Sequence, residues 1–180
     1  MKTATLAGGC FWCLEAVFVE LRGVHRVESG YMGGHVRHPS YREVCEGTTG
    51  HAEVVQVHFD EQAVSYRDLL DVFFTIHDPT QLNRQGNDIG PQYRSAIFWH
   101  DEEQRRDAVN AIARLEESGT WDAPIVTETA EATEFFPAGE EHADYYARNP
   151  GQPYCAFVIA PKVAHARRRF MDRLREGTSA

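Results

Sequence analysis

Gly8-Gly9-Cys10-Phe11-Trp12-Cys13 constrains this chain more than any other stretch. Two glycines ask for a turn, and an amphipathic pattern begins directly after it. Phe11, Leu14, Val17, Phe18 and Leu21 fall on one helical stripe, which Gly23 ends. Cys10 is thereby set at a helix N-terminus, behind a short strand over residues 3–7. Unsatisfied N–H groups and the helix macrodipole favour an anion there, so the thiol is expected to ionise more readily than a free one. A thiolate beside two large apolar rings suits a small, apolar, sulfur-like substrate. A lone cysteine at such a position is ordinarily a packing residue. The glycines, the second cysteine and the aromatic pair together favour chemistry.

The totals narrow the class. A chain of 180 residues is expected to fold as one domain, 1–180, with a real core. Its net charge of −9 lacks the basic footprint that nucleic acid requires. Lys162, Arg167, Arg168, Arg169, Arg173 and Arg175 do cluster near the end, where a solvated helix face is the simplest reading. The four cysteines, Cys10, Cys13, Cys45 and Cys155, are too sparse for a disulfide scaffold. No long apolar run suggests a signal peptide or a membrane span. A cytoplasmic protein with reduced thiols is expected, in which a Cys-x-x-Cys is catalytic or metal-binding more often than structural.

Strands are expected over residues 28–32, 53–59, 95–99, 124–127 and 154–160, the last carrying Cys155. Helices are expected from Ser65, with Asp68 placed for a capping box, over 101–118, over 140–147, and over 162–176. Residues 78–94 show no periodicity, and an irregular loop of that length inside a compact domain is usually functional. Strands and helices mix without strict alternation, which favours α+β.

Cysteine chemistry on an oxidised sulfur needs a group to protonate the departing oxygen. Glu53, in Gly50-His51-Ala52-Glu53, begins a strand; facing an apolar pocket, its pKa would rise to suit a general acid. Tyr41 and Tyr93 are phenols on irregular segments, able to donate hydrogen bonds to an oxyanion. Asp88, taken alone, reads as a turn former.

These pieces gain weight together. GGCFWCLEAVF, SYREVCEGTTGHAEVVQV, IHDPTQLNRQGNDIGPQYRSAIF and FFPAGEEHADYYARNP resemble, in order, the peptide methionine sulfoxide reductases of the A type. The resemblance runs from Ala7 to about Cys155. It implies Cys10 as nucleophile, Phe11 and Trp12 as the cradle of the substrate methyl, and Glu53 as the acid. Tyr41, Asp88 and Tyr93 become the polar groups around the sulfoxide oxygen. It further implies the S epimer of methionine sulfoxide as substrate, thioredoxin as reductant, and no metal or organic cofactor. The implied fold is a two-layer α+β sandwich with a mixed or antiparallel sheet, a ferredoxin-like core and extensive irregular loops. A monomer is assumed.

In the implied cycle Cys10 attacks sulfur, methionine leaves, and a cysteine sulfenic acid remains. A second thiol closes a disulfide that an external dithiol reduces. Cys155 matches the usual position of the resolving thiol and is favoured. Cys13, where many relatives carry glycine, lies one helical turn from Cys10 and is the alternative. Cys45 reads as a bystander. Two rivals stand beside this assignment. A thioredoxin-like Cys-x-x-Cys oxidoreductase leaves the loop over 78–94 unexplained, and a zinc module would need a second ligand pair.

Overall fold

A computed structural model describes residues 1–179. Along the chain come β1 (Lys2–Gly8), α1 (Phe11–Phe18), β2 (Val24–Met32), α2 (Tyr41–Cys45), β3 (Ala52–Phe59) and α3 (Tyr66–Ile76). A small hairpin of β4 (Arg84–Gln85) and β5 (Asp88–Ile89) follows, then β6 (Ser95–Trp99), α4 (Glu102–Glu117), β7 (Glu128–Glu131) and β8 (Phe136–Pro137). The chain ends through α5 (Tyr145–Arg148) and α6 (Ala160–Arg169).

Six strands form one sheet in the order β7-β6-β1-β3-β2-β8. All neighbours are antiparallel except β6 and β7. The inner order β6-β1-β3-β2, with α1 crossing from β1 to β2 and α3 leading from β3 towards β6, is the expected ferredoxin-like core. Alternation along β3 explains the layering. Val55, Val57 and Phe59 turn to the helical layer, where they meet Leu14, Phe18, Leu69 and Phe73. Val54 and Ala52 turn to a smaller cluster with Ala7, Met32, Ala96 and Phe98, against which Ala130, Ala132 and Phe135 pack. Seven of the eight residues of α1 are buried, and Trp12 alone is not. Burial on that scale, at about 25 cal/mol per Å² of apolar surface, holds a helix too short to persist alone.

The expected capping box on α3 is present: Ser65 accepts from the Asp68 N–H at 3.0 Å, and Asp68 accepts from the Ser65 N–H at 3.1 Å. A second box, Ser40 with Glu43, starts α2, a helix the sequence pattern did not announce. Several expected boundaries move. α1 stops at Phe18, short of Gly23, and β2 begins at Val24 rather than at residue 28. The strand expected over 124–127 forms at Glu128–Glu131 instead. The final helix ends at Arg169.

One expectation is overturned in kind: residues 154–160 are helical. Cys155–Ile159 form a π turn that runs directly into α6. Pro153 opens this helix, where its missing N–H costs nothing. Pro161 likewise brings no N–H to the junction with α6. Among the described residues no helix is long and apolar enough to cross a membrane.

Candidate active site

The site grows from the turn between β1 and α1. Gly9 adopts φ +95°, and a Cβ there would lie 2.8 Å from the Gln85 side chain. The turn delivers Cys10 as the N-cap residue of α1, only 7% exposed. The next backbone N–H, that of Phe11, donates to the Glu53 carboxyl at 3.1 Å. One hydrogen bond thus fixes the distance between the helix start and the second residue of β3. Glu53 is 1% exposed, and burial pushes its pKa up to about 8 against the pull of the Phe11 N–H, with Asp88 and Cys13 adding to the rise. At neutral pH it carries a proton.

The thiols of Cys10 and Cys13 act on each other's ionisation. The expectation of an easily ionised Cys10 is corrected here. Burial comes first and raises its pKa well above the ordinary value; the Cys13 thiol and the Glu53 charge add to that, while the Trp12 N–H works the other way. Cys13 moves down to about 7, because the Cys10 thiol favours its charge and Lys162 lies near enough to do the same. The pair therefore releases its first proton near neutrality, and the titration belongs to the pair rather than to either thiol.

An aromatic cage surrounds this pair. Tyr41, first residue of α2, stacks over Phe11 with ring centres 6.2 Å apart. Trp12 lies against Tyr145 at 3.7 Å and 5° and donates its indole N–H to His142 at 3.1 Å. His142 packs on Tyr41 at 4.5 Å, closing the ring of contacts. The β4–β5 hairpin brings Asp88, which accepts from the Tyr154 hydroxyl at 2.6 Å; that same oxygen meets the Cys13 sulfur at 3.7 Å. Tyr93 follows at the end of a single 3-10 turn (Pro91–Tyr93), and its phenol is raised by burial first and by the Glu53 charge second.

Cys10, Phe11, Trp12, Cys13, Tyr41, Glu53, Asp88 and Tyr93 thus converge, although they span five elements. Cys155 stands apart. It is fully buried in the π turn, one residue beyond Tyr154, and the thiol charge that acts on it is that of Cys13. Cys45 is exposed at the end of α2, where burial raises its thiol and the Tyr41 and Tyr93 hydroxyls pull it back down. Sequence reasoning also passed over Tyr154, His142 and Tyr145. The run His142-Ala143-Asp144-Tyr145-Tyr146 was visible, but its distance from Trp12 in sequence hid the pairing.

A thiol pair at a helix start, a protonated buried carboxyl and an aromatic cage define a cysteine-dependent oxidoreductase for a small, partly apolar substrate. The family model for peptide methionine sulfoxide reductase matches residues 2–174. The chain belongs to this family, in its A type. It is 56% identical over 178 residues to the peptide methionine sulfoxide reductase MsrA of Ralstonia nicotianae, covering 97% of this chain and 93% of that one. Its fold matches reduced Mxr1 of Saccharomyces cerevisiae with TM-score 0.77 and 34% identity, over 86% of this chain and 88% of that one. Mxr1 solved in complex with Trx2 matches with TM-score 0.54 and 25% identity, over 80% and 84%. The protein is accordingly an oxidoreductase acting on methionine sulfoxide.

Proposed function

We propose that Cys10 attacks the sulfur of the S epimer of methionine sulfoxide, free or in proteins, while Glu53 gives its proton to the departing oxygen. The observation that carries this reading is the Phe11–Glu53 hydrogen bond, which places a protonated carboxyl beside the nucleophile's own helix start. Phe11 and Trp12 receive the apolar methyl side. Tyr41, Tyr93 and Asp88 face the oxygen.

Attack forms a bond from the Cys10 sulfur to the substrate sulfur as the protonated oxygen departs as water; a water then attacks the Cys10 sulfur, breaking that sulfur–sulfur bond, so that methionine leaves and Cys10 becomes a sulfenic acid. Cys13, three residues on from Cys10 in the first turn of α1, condenses with it, releasing water and forming a disulfide. Cys155 then attacks the Cys13 sulfur, which frees Cys10 and passes the disulfide to the end of the chain. Both candidates for the resolving role are used, in sequence. Thioredoxin, the kind of partner on which a relative has been solved, supplies the final dithiol. The protein works as a cytoplasmic monomer, a setting that suits four free cysteines.

The test is a stereochemical assay on both sulfoxide epimers with wild type and Cys10→Ser. Reduction of the S epimer alone, abolished in the variant, is expected. Reduction of the R epimer alone, or activity that survives the substitution, would overturn the assignment.

A further inference from the structure

The structure sorts the basic residues crowded at the end of the chain. Arg167 forks onto Glu20, with Nε 2.9 Å from the carboxylate. Arg173 bridges Asp71 at 3.2 Å and Asp68 at 3.5 Å, and Arg175 donates to the Val24 carbonyl. These three fasten the chain end to the body. Lys162 and Arg169 have no acidic partner among the described residues, and neither does Arg114 on α4. All three line the same groove.

The groove lies between α3, α4 and α6. Its wider part is a cleft of about 580 Å³ with Leu70, Phe74, Leu115 and Trp121 in its walls and Arg67, Arg114, Arg169 and His165 among its lining groups. A shallower part of about 330 Å³ shares Thr75, Trp121 and His165 with it and runs past Lys162 to Asp78 and Gln85. Gln85 is the side chain that packs on Gly9, the residue before Cys10. The acids along it are engaged elsewhere: Asp71 by Arg173, and Asp78 by the Thr80 N–H and hydroxyl at 2.9 and 2.6 Å. Arg67 is the one lining cation with a carboxylate of its own, Asp107 at 3.0 Å.

A cationic track with an apolar floor, on a molecule of net charge −9, asks for an acidic occupant that also has apolar body. Lys162 and Arg169 are seven residues apart on one helix, about 10 Å, or roughly three residues of extended chain. That matches a polypeptide segment. We propose that this groove is an exosite for the chain flanking an oxidised methionine, and that it selects methionine sulfoxide residues neighboured by Asp and Glu. The proposal rests on the sulfoxide reductase reading and adds a substrate preference to it.

Two peptides of one length, each with a single methionine S-sulfoxide, would be compared with dithiothreitol as reductant. One carries Asp and Glu on both sides, the other Lys and Arg. N-acetylmethionine S-sulfoxide, which cannot reach the groove, is the control. Wild type should favour the acidic peptide by about tenfold in kcat/KM at low salt, and the preference should fade at about 0.5 M salt. The double variant Arg114→Glu, Arg169→Glu should invert the preference and leave the control unchanged. Arg114→Gln with Arg169→Gln should abolish it without new repulsion, which keeps the test open if charge reversal harms folding. Equal rates on both peptides in wild type would overturn the proposal. So would an equal loss on both in the variants, or an effect seen only when thioredoxin replaces dithiothreitol, which would assign the groove to the reductant. Wild type that leaves the control unreduced would instead bring down the reductase reading itself.

Discussion

At the scale of single residues, the chemistry depends on where protons rest. Glu53 keeps its proton to about pH 8, and the Cys10–Cys13 pair releases one near 7. The rate of the chemical step should therefore follow a narrow bell, rising through about 7 and falling above about 8. The same group marks stability. The folded chain holds a Glu53 proton that the unfolded chain releases from about 4.5 upward. Stability tied to this carboxyl is fully present below that value and is lost progressively as pH rises to about 8. Glu53→Gln should lower kcat by about 10²–10⁴-fold and remove the alkaline limb. At pH 9 it should also be more stable than wild type by roughly 1–3 kcal/mol, because no charge is buried. Denaturation midpoints at pH 6 and pH 9, read beside the rate profile, check both halves. A variant that loses activity and stability together would show Glu53 to be a packing residue.

At the scale of elements, the main reversal concerns the segment that carries Cys155. Phe157, Val158 and Ile159 favour a strand by local preference, and the sequence reading followed them. Burial decided otherwise: Cys155 and Ile159 pack inward and Phe157 is left 80% exposed, a spacing that only a helix produces. Patterns confined to one element were legible, as the Ser65–Asp68 box and the Cys10 helix start show. Pairings between elements were not. Nothing local ties Tyr154 to Asp88, or Trp12 to His142, since each bond joins elements far apart in sequence. The π turn also bears on the cycle. Single π turns inside a helix are rare and are frequent at functional sites. Cys155→Ser should complete one round of reduction and then stop with thioredoxin, while Cys13→Ser should stall earlier, with Cys10 as a sulfenic acid. Peptide mapping after a single turnover would separate the two. Multiple thioredoxin-driven turnovers in Cys155→Ser would make Cys13 the last thiol of the cycle.

At the scale of the whole molecule, the chain end closes the structure over its beginning. Leu174 bridges Leu21, and the Arg22 N–H donates to the Arg173 carbonyl at 2.8 Å. Phe170 and Leu174 are buried beside α1. Removal of residues 170–180 should cost about 3–6 kcal/mol, the value of two large apolar side chains returned to water. The loss should appear as a lower melting temperature with kcat nearly unchanged at 25 °C; an unaltered melting temperature would show the closure to be incidental. This layout also has a consequence in time. Cys10 is among the first residues made, whereas His142, Tyr145 and Tyr154, which wall its pocket, are among the last. At about 5–20 residues per second, roughly seven to thirty seconds separate the two during synthesis. Through that interval the nascent chain carries its reactive thiols without their cage, exposed to whatever oxidant reaches the ribosome.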